Sequence, residues 1–317
     1  MLARAGLGKG VPRAGLLLMV AANAPDFDVV SWFGGPLIYL QYHRWMTHAF
    51  IAMPVMAGIS VLIARLFARG KFPWLRAGIA ALIAVLSHLL LDWTNTYGIR
   101  LLLPFSSEWF RLDITNIVDL WLWAALLLAL LAPALANLVS SEIGAKRGRG
   151  AGWALFALLF VLSYDFGRFL SHNRAVASLE SRIYDGSTPV RVAALPDFSN
   201  PLKWKAIVET SDAYRTLDLN VASSFDPGDG KVLYKAQEIP AFGAARQSVA
   251  FRTFLDFAAY PVWRSSPAAQ PEGAVRVEAF DLRFGDPQEP RFVAEAVVTK
   301  ENRVEEAGFS FGAVRPR

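Results

Sequence analysis

The stretch LRAGIAALIAVLSHLLLDW, residues 75–93, decides the fold. It has the roughly 20 residues that a membrane-spanning helix requires, and between Arg76 and Asp92 its only ionisable side chain is His88. Positions four apart share one face of an α-helix, so His88 and Asp92 project side by side at the end of an apolar rod. Such a pair either holds a cation or bonds to itself.

Outward from this segment the chain keeps the same character. Of 317 residues 54% are hydrophobic, with 22 Phe and 10 Trp, and the mean hydropathy of +0.33 is too high for an ordinary soluble domain of this length. Three more runs have spanning length: THAFIAMPVMAGISVLIARLFA (47–68), NIVDLWLWAALLLALLAPALANLV (116–139) and GWALFALLFVLSYDFGRFL (152–170). The shorter AGLLLMVAANAP (14–25) cannot cross a bilayer and lacks a good small-residue cleavage site, so it predicts a buried or re-entrant helix.

After residue 171 the composition becomes that of a soluble chain. KWKAIVETSDAYRTLDLNV (203–221), AVRVEAFDLRF (274–284) and RFVAEAVVTK (291–300) alternate in the manner of strands, and DPGDG (226–230) and FGDPQEP (284–290) are turn signals. FRTFLDFAAYPVW (251–263) places Phe251, Phe254, Leu255 and Ala258 on one helical face and stops at Pro261. The expected architecture is a polytopic α-helical membrane domain, residues 1–175, followed by a soluble α+β or mostly-β domain, residues 176–317. The first should hold about four transmembrane helices plus a short N-terminal helix.

Charge orients the spans. Arg65, Arg69, Lys71 and Arg76 crowd the first connection and Lys146, Arg147 and Arg149 the third, which places both in the cytoplasm by the positive-inside bias. The 94–115 connection and everything after 171 then lie outside. All four histidines, His43, His48, His88 and His172, fall at that outer face, together with Asp92, Asp113 and Asp119.

The net charge of +5 comes from scattered Lys and Arg without a nucleic-acid motif, so no nucleic-acid partner is expected. Cysteine is absent, which leaves His, Asp, Glu and Asn as the available metal ligands. Imidazole and carboxylate are the usual donors to zinc and similar divalent ions. A histidine at a helix end also snorkels or bonds a carbonyl. His43 and His48, five apart, share a site only if the chain turns between them, and YHRWMTH with Thr47 as an N-cap would provide that turn. Asp165 and Arg168 should pair on the fourth span. Ser223, Ser224, Ser265 and Ser266 have no base partner, which disfavours a serine hydrolase.

ANAPDFDVV (22–30), YHRWMTHAF (42–50), HLLLDWTNTYGIRLLLPFS (88–106) and FRLDITNIVDLWLW (110–123) follow one another in an order that resembles the YdjM-like membrane-bound, metal-dependent hydrolases. The likeness covers residues 1–175, and NPLKWKAIVET (200–210) is similar to the start of the extra domain in longer members. The resemblance implies Asp26, His43, His48, His88, Asp92 and Asp119 as metal ligands and Asp28 and Asp119 as catalytic residues, with Asp113 as a weaker candidate; Arg44 joins the catalytic set as a guanidinium beside the cluster, and His172, which has no counterpart in the family pattern, is a second-choice ligand. It further implies a metal-dependent hydrolase of the bacterial inner membrane. The candidate ligands outnumber those of a single tetrahedral site, so one or two zinc-like ions are expected; the charge bias puts the C-terminal domain outside the cytoplasm; and the site's place at the lipid boundary favours membrane lipid as a partner and phosphoesters or lipid headgroups as substrates.

Arg44 and Arg100 would neutralise a phosphate or anchor at headgroups. Family members usually carry a Thr-His pair ahead of a LARAGLG-like segment, whereas this sequence reads MLARAGLGKG from residue 1. Either a longer natural chain or a site with one ligand fewer follows. The alternative function is a non-catalytic, metal-stabilised scaffold of the cell envelope. A transporter is disfavoured, because the spans are few and the polar residues lie near one face.

Overall fold

A computed structural model describes residues 1–142 and 150–312. The basic residues Lys146, Arg147 and Arg149, used above for orientation, lie outside the described residues. Helix α4 (Trp74–Thr94) is the predicted span of 75–93. Its buried stripe of Ala77, Ala80, Ala81, Ala84 and Val85 is made of small side chains, which let neighbouring backbones approach closely. Against it pack α1 (Ala14–Asn23), through Leu17, Leu18 and Ala21, and α3 (Met53–Leu66), through Ala57, Val61 and Ala64. The short N-terminal helix is thus buried, as its length predicted.

The first expected span is bent. A 3-10 run over Pro25–Gly34 follows α1 at 49°, and α2 (Pro36–Tyr42) leads through 3-10 turns at Met46–His48 and Phe50–Ala52 into α3, with a 62° break. Thr47 does not cap a helix; its hydroxyl is bonded to Asp28 instead, so the helix proper starts only at Met53. Helices α5 (Leu120–Glu142) and α6 (Ala151–Glu180) pack on each other. Among the described residues three helices are long and apolar enough to cross a membrane, or up to five spans if each bent pair counts as one.

Helix α6 continues to Glu180 and enters the sheet region. Strands β1 (Arg191–Pro196), β2 (Lys203–Glu209), β3 (Ala213–Asn220) and β4 (Lys231–Tyr234) form an antiparallel meander. A second antiparallel sheet runs β10-β9-β6-β5, from β5 (Pro261–Pro267), β6 (Val275–Asp281), β9 (Val293–Val298) and β10 (Val304–Ser310). The short hairpin of β7 (Gly285–Asp286) and β8 (Glu289–Pro290) lies between them in sequence.

Period-two alternation builds the layers. Trp204, Ala206 and Val208 of β2 face the end of α6 at Ala175 and Leu179, while Ile207 faces Phe280 of the other sheet. The far side of the second sheet, Val277, Ala279, Ala294 and Ala296, is covered by α7 (Pro240–Arg246) and α8 (Val249–Phe257). Ser248 caps α8, and Phe251, Phe254 and Phe257 are its buried face. The helix ends at Phe257 with Ala258 already extended, so Pro261 opens β5 rather than stopping a helix.

Two fastenings join the sheets to the helices. Leu40 of α2 is fully buried in the cluster containing Phe242, Phe251 and Phe254. Arg283, just past β6, donates to Thr96 O at 2.9 Å, to Phe257 O at 2.9 Å and to Asp281. Arg168 does not pair with Asp165 as expected: it donates to the carbonyls of Ile114 and Pro201 and lies over Trp204, which draws its guanidinium away from its own helix.

Burial alone would push the Asp281 carboxyl up, but Arg283 and the N–H groups of Arg283 and Ala259 hold it below the usual carboxylate value. The stabilisation is therefore present above about pH 4 and is lost as the pH falls through the depressed folded value. Asp281→Asn should cost about 3–5 kcal/mol by leaving a buried guanidinium uncompensated. Lys231→Ala, which removes an exposed pair with Asp286, should stay within about 1 kcal/mol. Thermal unfolding of the detergent-purified variants measures both.

Candidate metal centre

Three segments converge at the end of α4. His88 and Asp92 come from its last two turns, His48 from the 3-10 turn before α3, and Asp26 from the 3-10 run after α1. His48 Nε2 lies 3.4 Å from Asp26 Oδ1 and 3.3 Å from Asp92 Oδ2. His88 Nε2 lies 3.5 Å from Asp26 Oδ1, 3.3 Å from Asp92 Oδ2 and 3.4 Å from His48 Nε2. Ligand atoms at about 2.0–2.1 Å from a tetrahedral ion stand roughly 3.3–3.4 Å apart, so these separations match the edges of such a site. Asp92 Oδ2 is buried without a hydrogen-bond partner. A lone carboxylate oxygen facing two imidazole nitrogens suits a shared cation better than a network of hydrogen bonds.

The supporting groups fix which atom each ligand presents. Asp28 Oδ2 accepts from the Arg44 N–H at 2.8 Å and the Thr47 hydroxyl at 3.0 Å, and lies 3.2 Å from His48 Nδ1. Holding Nδ1 in this way turns Nε2 of His48 toward the other ligands, the carboxylate–histidine arrangement of many metal sites. Asp28 Oδ1 meets His43 Nδ1 at 2.9 Å, and the His43 ring stacks on Tyr39 with centroids 4.6 Å apart. Asp26, Asp28 and His43 form a second group in which three ligand atoms lie within 4.8 Å.

Arg44 organises the rest. Its backbone is left-handed, φ 57°, which directs its N–H to Asp28 while its side chain runs the other way. Nη2 donates to Asp92 Oδ1 at 2.8 Å, and Nη1 to Asn95 Oδ1 at 3.0 Å and Gly98 O at 2.9 Å. Asp92 is thereby held by one oxygen with the other turned to the ligand cluster. Asn95 Oδ1 also accepts from the Tyr97 N–H at 2.9 Å, closing the turn after α4. Gly98 is needed there: at φ 89° a Cβ would stand 3.3 Å from Phe110 O. Arg44 is thus buried and committed to positioning, not free to meet substrate as the sequence reading had it.

The remaining candidates lie elsewhere. Asp119 belongs to neither ligand group: Oδ1 accepts from the N–H groups of Trp121 and Leu122 at 3.1 and 3.2 Å, and Oδ2 from Tyr164 at 3.1 Å. Its place before an apolar helix makes it the N-cap of α5 and a tie to α6, which corrects its assignment as ligand and catalytic group. Asp113 pairs with Arg111 at 3.0 Å. His172 packs edge-on against Trp204, 5.4 Å between centroids, so three of the four histidines converge and the fourth supports the sheet. Sequence reasoning missed Asn95, Tyr97 and Arg283 as supports. Asn-Thr-Tyr-Gly after a helix is a legible turn signal for the first two, whereas nothing local marks Arg283.

Comparison with known proteins agrees with this organisation. A family model described as "YdjM inner membrane protein" matches residues 1–174, which contain all of these ligands. The chain is also 25% identical over 251 residues to the uncharacterized protein YfhP of Bacillus subtilis (strain 168), covering 78% of this chain and 70% of that protein. No solved structure matches. With the greater part of its length matched, and its apolar helices intact, the chain belongs to the YdjM inner membrane protein family.

Proposed function

We propose that this protein is a divalent-metal-dependent hydrolase of the bacterial inner membrane, acting on phosphoesters and most readily on those of lipid headgroups. One observation carries the reading: three ligands are anchored and the fourth is not. His48 is fully buried and held by Asp28, Asp92 is held by Arg44, and His88 is fixed on a helix, whereas Asp26 is 47% exposed and its ion pairs among the described residues are with His48 and His88 alone. A site with one replaceable ligand resembles a catalytic centre more than a closed structural one. Asp26 also sits on an apolar rim. Its neighbours Phe27, Val30 and Phe33 are exposed, Phe33 at 93%, which fits contact with lipid.

Two imidazoles and two carboxylates at tetrahedral spacing suit zinc. When bound, the ion would supply Lewis-acid activation of water and of a phosphoryl oxygen. His43, hydrogen-bonded through Nδ1 to Asp28 and backed by Tyr39, is suited to hold or move a proton at its other nitrogen. The basic residues Arg65, Arg69, Lys71 and Arg76 flank the α3–α4 connection, at the opposite end of α4 from the ligands, so the positive-inside bias supports a metal centre and a C-terminal domain outside the cytoplasm. We assign residues 1–175 to the metal-bearing membrane domain and 176–317 to the outer domain.

Purified protein should carry about one zinc-like ion per chain, and His88→Ala and Asp92→Ala should each remove most of it. Elemental analysis decides this, and unchanged content in both variants would refute the site. Arg44→Lys, which cannot reach three acceptors at once, should weaken metal affinity about 10- to 100-fold in competition with a chromophoric chelator. His43→Gln should retain the metal yet lower turnover of phosphodiester, phosphomonoester or short-chain phospholipid substrates by about 100-fold or more. A fully loaded protein that turns over none of these would favour the scaffold. Since the chain has no cysteine, a single one introduced at 94–115 should react with an impermeant reagent from outside intact cells.

A further inference from the structure

A cavity of about 320 Å³ opens beside the metal centre, between the helical and sheet regions. Tyr42, Trp45 and Arg100 line one wall, and Arg252, Thr253 and Asp256 of α8 the other. Tyr42 precedes His43 and Trp45 follows Arg44, so cavity and metal centre share one short connector. Of these six side chains only Arg100 entered the sequence reading, as a guanidinium that would neutralise a phosphate, and the ligand cluster itself uses none of them.

The walls are built for an anion. Arg100 is 8% exposed, lies over the Trp109 ring at 4.3 Å and pairs through Nη2 with Asp256 at 2.7 Å, but its buried Nε has no hydrogen-bond partner. Asp256 stands four residues beyond Arg252 on α8, where a helical pair would form, yet its carboxylate is taken by Arg100 across the cavity. Arg252 therefore has no ion pair among the described residues and is exposed at the mouth. Two guanidinium groups against one carboxylate leave a net positive charge of one. Tyr42 and Trp45, edge to face at 5.4 Å and both partly exposed, form an aromatic lip of the kind found where protein meets the membrane–water boundary.

We propose that this cavity binds the phosphate of a singly charged phosphodiester, with Arg252 and Arg100 on its oxygens, the Thr253 hydroxyl as a further donor, and an organic substituent along Tyr42 and Trp45. Guanidinium is the side chain best matched to phosphate oxygens, and the opposing Asp256 disfavours more highly charged anions. The C-terminal domain then supplies half of a recognition site. As a substrate subsite this rests on the phosphoester reading above; as a binding site it does not.

The test uses full-length protein in detergent, stripped of metal by a chelator so that phosphate cannot bind to an ion. Calorimetric titration with dihexanoylphosphatidylglycerol should show saturable binding, with dihexanoylphosphatidylcholine at least about tenfold weaker. Inorganic phosphate is the third probe: weaker binding than the anionic lipid identifies a lipid headgroup as the ligand, and equal binding overturns the phosphodiester assignment. Arg252→Gln, an exposed substitution away from the metal ligands, should weaken binding about tenfold or more, and Thr253→Val by a smaller factor, both with unchanged metal content before the chelator is added. Absence of saturable binding by the wild type to every phosphate-bearing probe, or wild-type affinity in Arg252→Gln, overturns the proposal. Binding that survives while no phosphoester is hydrolysed would overturn the hydrolase reading and leave this one standing.

Discussion

Everything at the ligand cluster depends on one buried guanidinium. Arg44 touches Asp28 through its backbone and Asp92, Asn95 and Gly98 through its side chain, so it ties three separate chain segments into one geometry. A buried cation is costly unless it is paired and hydrogen-bonded. Here the carboxylate of Asp92 and two oxygen acceptors take up both Nη atoms, and the face of Tyr97 lies 4.9 Å from the guanidinium carbon, while the buried Nε has no hydrogen-bond partner. The bond from Arg44 Nη2 that neutralises the guanidinium also orients Asp92, which couples folding of this region to assembly of the site.

The sheet region is part of that assembly. Arg283, neutralised by Asp281, grips the carbonyl of Thr96 and thereby the turn that presents Asn95 and Gly98 to Arg44. Around Tyr97 lie Phe257, Phe284 and Phe292 of the C-terminal region and Trp109 of the connection between α4 and α5. The path from β6 to Asp92 runs through two guanidinium groups, Arg283 and Arg44, that hold the backbone of one turn. A soluble domain attached in this way is a buttress for the candidate metal site as well as a wall of the neighbouring cavity.

Much of the helical architecture was legible. The apolar stripe of α4, the burial of short α1 and the strands at 203–221, 274–284 and 291–300 all follow from periodicity and length, because burial on one face leaves a direct trace in residue order. The bend before α3 was less legible. It arises where His48 is drawn to Asp26, Asp28 and Asp92, a pull that hydropathy does not record. Asp119 misled for a related reason: an aspartate before an apolar helix has the same local signature whether it caps the helix or binds a metal.

By itself the sequence determined that the chain lives in a membrane, that histidine and carboxylate must supply any metal site, and that His88 and Asp92 share a helical face. These are consequences of composition and of the helical repeat, and they need no knowledge of distant neighbours. Only the tertiary structure decided which other residues join that pair, that Asp28 and Arg44 orient ligands, that Asp119 is a cap, and that α8 closes a cavity beside the site. Apart from the local bonds of the Asp119 cap, those roles are set by atoms within about 3 Å of one another yet far apart along the chain, and local pattern carries no information about such encounters.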